Sequence, residues 1–178
     1  MNSRLVTAVW ILIAALTGAL GLEPQPAQAA GEEQVGTVTK LRLPRYVSLR
    51  FDKTNVREGP SKTHRTTFIY QRGGLPVEIT AEFDVWRRIR DSEGSEGWVL
   101  ATLLVGKRSG LVAPWKKGET MLLYVKPDEG SGIAARLQPG VQGAVKTCDG
   151  NWCRFGGDGF DGYIRQANLW GVYPDEKF

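Results

Sequence analysis

The segment Trp86-Arg87-Arg88-Ile89-Arg90 sets an indole beside three guanidinium groups. In an extended chain successive side chains alternate, so Trp86, Arg88 and Arg90 share one face while Arg87 and Ile89 share the other. An indole face stacks on a sugar ring or an apolar side chain, and arginine offers a two-pronged fork to a carboxylate. This is binding chemistry, with a cation–π pair that merely stabilises a sheet as the bland counterpart. Arg57, within Asn55-Val56-Arg57-Glu58-Gly59-Pro60, is a further candidate cation. Catalytic chemistry finds fewer parts. His64 is the single histidine and sits in the polar run Ser61-Lys62-Thr63-His64-Arg65. A nucleophilic cysteine needs a base in reach, and acid–base hydrolysis needs two dedicated carboxylates; the Asp and Glu residues here are scattered among Lys and Arg. The expectation is a non-catalytic protein that needs no cofactor.

Cys148 and Cys153 flank Asp149-Gly150-Asn151-Trp152, whose residues suit the tip of a hairpin. In an oxidising compartment two thiols this close pair, so a structural disulfide is expected, with free thiols as the alternative. Zinc would need more ligands than this spacing supplies. Asp149, Asn151, Asp158 and Asp161 lack the alternating spacing of a calcium loop. Gly156-Gly157-Asp158-Gly159 has no Lys-Ser/Thr pair after it and reads as a hairpin turn rather than a phosphate cradle.

These residues must be positioned by strands. Val47-Leu49-Phe51 alternates with polar neighbours, Thr66 to Tyr70 is β-branched and aromatic, and Leu75 to Ala81 alternates behind Gly73-Gly74. Trp86 to Arg90 and Trp98 to Leu100 form a hairpin about the predicted turn Gly94-Ser95-Glu96-Gly97. Trp98 and Tyr163 are expected to pack inside or at the barrel edge, whereas Trp86 and Trp152 open their strands beside polar loops. The pattern then recurs about 66 residues later. Gly73-Gly74-Leu75-Pro76-Val77-Glu78-Ile79 is answered by Pro139-Gly140-Val141-Gln142-Gly143-Ala144-Val145, Trp86 by Trp152, and Gly97-Trp98-Val99 by Gly162-Tyr163-Ile164.

The first copy resembles the bacterial SH3 (SH3b) domain family, which opens on Asn-Val-Arg-x-Gly-Pro, turns at a central Gly-x-Pro-Val, and closes on Gly-Trp-Val. The second copy departs at its opening, where Leu123-Tyr124-Val125-Lys126-Pro127-Asp128 stands instead. As a whole the chain is similar to two-repeat exported SH3-like proteins of alphaproteobacterial type. The resemblance implies an all-β fold of two tandem small SH3-like β-barrels, each with five to six strands and a short 3₁₀ turn at Leu103-Leu104. It also implies recognition of a cell-wall peptide or peptidoglycan, or of an envelope protein as an adaptor or assembly factor. The opening-motif loop lies near the binding edge in such barrels, which makes Arg57, Trp86, Arg88 and Arg90 the candidate ligand residues.

Arg4 followed by the charge-free apolar run Leu5 to Leu22, with Ala27-Gln28-Ala29 behind it, reads as a cleaved signal peptide over residues 1–29, with an uncleaved membrane anchor as the rival. The expected organisation continues with a flexible arm at 30–45, repeats at 46–105 and 110–173 joined by a linker at 106–109, and a tail at 174–178. The two repeats are expected to bury surface against each other, because a domain of about 60 residues is marginal alone. Export to the periplasm or cell envelope follows from the signal, with no stable membrane insertion after cleavage. Net charge is +4 and the surplus falls in the first repeat and the linker; it reads as an ordinary solvated basic surface, with long-range steering of an acidic polymer or an anionic membrane face as the alternative. Nucleic acid is not expected as a partner.

Overall fold

The computed structural model describes residues 34–178, and the expected signal and its cleavage site lie outside them. Fourteen strands form two sheets of seven among the described residues. The first sheet holds β1 (Arg45–Leu49), β2 (Thr54–Arg57), β3 (Thr66–Tyr70), β4 (Pro76–Phe83), β5 (Trp86–Arg90), β6 (Glu96–Leu100) and β7 (Leu104–Val105), in the spatial order β3-β2-β6-β5-β4-β1-β7. The second holds β8 (Ser109–Val112), β9 (Met121–Tyr124), β10 (Ile133–Leu137), β11 (Gln142–Cys148), β12 (Trp152–Gly157), β13 (Phe160–Arg165) and β14 (Leu169–Trp170), in the order β10-β9-β13-β12-β11-β8-β14. The two orders are the same, strand for strand. The fold is all-β with two SH3-like repeats. Each has seven strands rather than the five to six expected, and a two-residue strand following the 3₁₀ turns at Ala101–Leu103 and Gln166–Asn168 contributes the last of them.

Each repeat encloses its own core. Leu49, Val56, Val77, Ile79, Ile89 and Val99 fill the first; Val112, Leu123, Val145, Phe155, Ile164 and Leu169 fill the second. Burying each such side chain contributes about 1.5–3 kcal/mol. In β6 and β13 the inward residues are Val99 and Ile164, both fully buried, so Trp98 and Tyr163 fall on the opposite face and stay half-exposed. Of the two expected placements, inside or at the barrel edge, the first is thereby excluded. Phe51, read as part of the first strand, lies beyond it and is exposed.

A one-residue bulge falls at the same place in both repeats. The β4–β5 register shifts between Ile79 and Ala81, and the β11–β12 register shifts between Val145 and Thr147. A bulge reverses the alternation beyond it. Glu82 and Arg87 therefore join the inward face of Ile89, and their equivalents 66 residues on are Cys148 and Cys153. One repeat closes this hairpin with a buried carboxylate–guanidinium pair, 3.5 Å between Arg87 Nε and Glu82 Oε1, and the other with the disulfide Cys148–Cys153. The loop closed by the disulfide is short, so in the chain-entropy account reduction should lower stability by about 2 kcal/mol. Guanidinium denaturation with and without reductant checks this; an unchanged midpoint for the fully reduced chain would refute it.

Both ends of the described chain dock on these hairpins. Residues 34–44, expected as a flexible arm, are pinned: Val35 bridges Arg42, Leu43 is buried in the first core, and Glu82 accepts the N–H groups of Val38 and Thr39 at 3.0 and 2.8 Å. The arm lost its expected freedom because its N–H groups and the Thr39 hydroxyl join Arg45 and Arg87 in satisfying the buried Glu82 carboxylate. At the other end Phe178 exchanges backbone hydrogen bonds with Cys148, and Asp149 bridges Lys177. The linker is shorter than 106–109, since Ser109 already opens β8.

The repeats share a seam built mainly from polar contacts. Ser48 Oγ donates to the Lys107 carbonyl at 2.6 Å and meets Ser109 Oγ at 2.6 Å. Gln142 donates to the Gly73 carbonyl, Trp170 Nε1 donates to the Pro76 carbonyl, and Tyr173 donates to Glu78 Oε1 at 2.8 Å. Tyr46 packs edge-on against Trp170 with ring centres 5.2 Å apart. Burial, then the hydrogen bond that the Tyr173 hydroxyl donates to the Glu78 carboxylate, pushes that hydroxyl well above its ordinary pKa.

Candidate ligand-binding surface

Strand register assembles the site. Trp98 on β6 lies directly opposite Arg57 on β2 and Arg88 on β5. Directly paired residues of neighbouring antiparallel strands share a face, so an indole stands between two guanidinium-bearing side chains across three adjacent strands. Thr66 on β3, opposite Arg57, and Ala81 on β4, opposite Arg88, extend the row on either side. The groove over it encloses about 450 Å³ and is lined by Glu58, Thr67, Arg88, Glu96, Gly97 and Trp98.

Gly97 makes this juxtaposition possible. A Cβ there would lie 2.3 Å from Val56 Cγ1 and 2.9 Å from the Arg57 carbonyl, so only glycine lets β2 close on β6 beside the indole. Gly162 does the same in the second repeat, where a Cβ would lie 2.6 Å from the Tyr124 carbonyl. The recurring Gly-aromatic-aliphatic triplet is thus a close crossing, an outward ring and an inward core residue, in that order.

The charges in the row are partly spent. Arg57 Nη1 donates to the His64 carbonyl at 2.7 Å, and Arg88 Nη2 reaches Glu96 Oε2 at 2.5 Å. Nearby, Glu58 pairs with Arg65, which holds that carboxyl below the usual range by hydrogen bonding and by charge. All of these groups are exposed enough for water to screen them, and an incoming carboxylate can compete with Glu96 for Arg88.

Of the four residues expected to touch ligand, the structure brings Arg57 and Arg88 into one row and removes the other two. Trp86 is only 6% exposed and offers no open ring face. It opens β5 opposite Leu100, with Phe83 across the tip of the β4–β5 hairpin. Arg90 turns to the seam, where its Nε donates to Glu78 Oε2 at 2.9 Å and its Nη2 reaches the same oxygen. The ring that sequence reasoning missed as a platform is Trp98. The signal was available in the hairpin turn. Asp91 Oδ1 accepts the N–H groups of Glu93 and Ser95 at 3.0 and 2.9 Å, so the turn is built on Asp91 to Ser95, ahead of Gly94-Ser95-Glu96-Gly97. Folding the hairpin there sets Trp98 against Arg88.

The second repeat repeats the row with different charges. Tyr163 faces Arg154 on β12 and Tyr124 on β9. A tyrosine thus stands where the first repeat has Arg57, and one guanidinium is lost. Arg154 pairs with Asp161 at 3.0 Å, and Lys146 reaches the same carboxylate; together they hold Asp161 below its ordinary pKa, Lys146 foremost. Trp152 is 7% exposed, covered by Arg165 at 4.3 Å from its ring centre and by the edge of Tyr124. Asp149 is occupied by its own turn, accepting the N–H groups of Asn151 and Trp152. Among the described residues no three His, Cys, Asp or Glu side chains gather as a metal site would require.

A comparison with curated proteins returns no match. Among solved structures the chain is similar to NlpC2 and NlpC1 from Trichomonas vaginalis, each at 15% identity and TM-score 0.33, covering 73% and 76% of this chain and 49% and 48% of theirs. It is also similar to an NlpC/P60 family protein from Bacillus cereus, at 12% identity and TM-score 0.31, covering 72% of this chain and 57% of that one. The chain therefore spans about half the length of these structures. The bacterial SH3 domain family matches twice, at residues 52–106 and 117–171, one match to each seven-stranded repeat. With the Gly-Trp-Val and Gly-Tyr-Ile crossings placed alike in both sheets, the chain belongs to the bacterial SH3 domain family.

Proposed function

We propose that this is a non-catalytic, exported binding protein whose first repeat recognises a carboxylate-bearing peptide of the cell wall or envelope. One observation carries the reading: Trp98 stands between Arg57 and Arg88 on an open sheet face. A half-exposed indole supplies apolar contact for a sugar ring or side chain, and the flanking guanidinium groups supply forked donors for a carboxylate. Cell-wall peptides on their glycan strands offer both features at once. The first repeat is favoured over the second because Tyr124 replaces one of the two cations there.

Sedimentation with purified peptidoglycan sacculi tests the proposal. The wild-type chain should co-sediment, and Trp98→Ala should weaken the binding by about 2 kcal/mol, roughly thirtyfold, as expected of a central aromatic anchor. Its unfolding midpoint should move little, since Trp98 lies outside the core. Arg88→Gln should weaken binding and reduce its dependence on salt. Equal binding by wild type and a folded Trp98→Ala variant would sink the platform, and no binding by the wild type would turn attention to an envelope protein as the partner.

A further inference from the structure

A second cleft lies at the junction of the two repeats, apart from the Trp98 row. It encloses about 340 Å³, and both repeats contribute to its walls. Arg50, just after β1, Arg72, in the turn before β4, and Lys107, in the linker, all line it, and no carboxylate does. The Trp98 groove by contrast carries Glu58 and Glu96.

Most arginines of the described chain are paired with a carboxylate. Arg45 and Arg87 are paired with Glu82, Arg65 with Glu58, Arg88 with Glu96, Arg90 with Glu78, Arg108 with Glu176, Arg154 with Asp161 and Arg165 with Glu129. Among the described residues Arg50 and Arg72, like Arg57 and Arg136, have no carboxylate partner, and the first two converge on one cleft together with Lys107. The nearby Asp52 is occupied, since its Oδ1 accepts the Gly73 N–H at 3.0 Å. Like charges gathered without counter-charge repel one another and persist where a ligand supplies the missing negative charge.

The floor of the cleft is rigid while the cationic tips are exposed. The Ser48 hydroxyl is spent on the Lys107 carbonyl, and Ser109 closes on Ser48, which fixes the Lys107 backbone. Gln142 ties the opposite wall to the Gly73 carbonyl at 3.0 Å, next to Arg72. Arg50 N–H donates to the Leu103 carbonyl at 2.8 Å. The cations therefore sit on anchored backbone, and their side chains keep all donors available.

From this we infer that the inter-repeat cleft is an anion site for a phosphate group, held by Arg50, Arg72 and Lys107. Three positive charges exceed what one carboxylate neutralises, whereas a phosphate carries up to two negative charges and accepts forked arginine bonds on several oxygens. The source is a soluble phosphorylated molecule or a phosphate displayed on a lipid headgroup.

The test uses the full chain and two probes. Inorganic phosphate is titrated while amide shifts of residues 48–50, 72–74 and 107–109 are followed, and retention is measured on vesicles containing phosphatidylglycerol. Saturable binding to either probe is expected, weakening as salt rises. Arg50→Gln and Lys107→Gln should each weaken it about tenfold, since each removes a charge-assisted contact. Arg136→Gln removes an exposed cation on β10 outside the cleft and should leave binding unchanged. Response to phosphate points to a soluble ligand and response to vesicles alone to a headgroup; both uphold the cleft if the Arg50 and Lys107 variants lose it. No saturable binding to either probe, or equal loss in the Arg136 variant, overturns the site. Trp98→Ala should bind phosphate normally, so failure at one site is distinguishable from failure at the other.

Discussion

Glu82→Ala is expected to destabilise the first repeat by about 3 to 5 kcal/mol, because it removes one partner from a buried, hydrogen-bonded charge cluster. The Glu82 side chain is 0% exposed and accepts from Arg45 at 2.6 Å, from the Thr39 hydroxyl at 2.7 Å and from two backbone N–H groups of the N-terminal arm. Its loss leaves Arg87 without its partner in a nearly closed environment and unpins the arm. Burial opposes ionisation of this carboxyl, yet the Thr39 N–H and hydroxyl, Arg45 and the Val38 N–H outweigh it and bring the pKa from 4.5 down to about 2. A group depressed in the folded state stabilises above its unfolded pKa, and the contribution fades as pH falls through the folded value. The window is therefore about pH 4.5 down to about 2, and the shift corresponds to about 3 kcal/mol. Urea midpoints measured from pH 7 to 2 should fall more steeply for the wild type than for Glu82→Gln, which keeps the shape and loses the charge. Parallel curves would assign the acid limb to other carboxylates.

The equivalence of Glu82–Arg87 with Cys148–Cys153 predicts that the two copies of one fold respond differently to conditions. The hairpin end beyond the bulge carries a tie in each repeat, and a further segment docks there in both, residues 34–44 in the first and the C-terminal tail in the second. In the first repeat that tie is electrostatic and weakens with acid; in the second it is covalent and weakens with reductant. The seam then couples the two, since Glu78 on β4 receives Arg90 from its own repeat and Tyr173 from the other.

The repeat, the all-β class and the disulfide were legible because they depend on residue type at fixed spacing. Gly97-Trp98-Val99 and Gly162-Tyr163-Ile164 announce themselves, and Asp149-Gly150-Asn151 between two cysteines makes a hairpin tip whatever surrounds it. Orientation was less legible, because it depends on counting from turns and bulges. The bulges within β4 and β11 leave no residue signature, yet they place Glu82 inward and make an apparently exposed carboxylate the anchor of the arm. The hairpin turn spans Asp91 to Ser95, where the Asp91 carboxylate accepts two N–H groups and Gly94 takes a positive φ, and this register, which places Trp98 against Arg88, is not evident from the glycine spacing. Arg90 was placed correctly on its strand, but the buried acid that claims it comes from β4 and finds its second donor in the other repeat.

Trp86→Ala is the complementary experiment to Trp98→Ala, and it is expected to cost about 3 to 5 kcal/mol of stability, the range for deleting a large buried ring. The indole begins β5, pairs across to Leu100 on β6, and is as buried as Trp152 at the matching place in the second repeat. In the second repeat Arg165 and the edge of Tyr124 cover the ring, so the indole at this position is enclosed by its neighbours. Losing a ring this buried leaves a cavity that neighbouring strands can only partly fill. Chemical denaturation should therefore show a large drop in midpoint for Trp86→Ala and a small one for Trp98→Ala. Sacculus binding per folded molecule should show the reverse order, near wild type for Trp86→Ala in conditions where it remains folded. A Trp86→Ala variant that keeps wild-type stability and loses binding would exchange the roles of the two indoles and return the ligand platform to the start of β5.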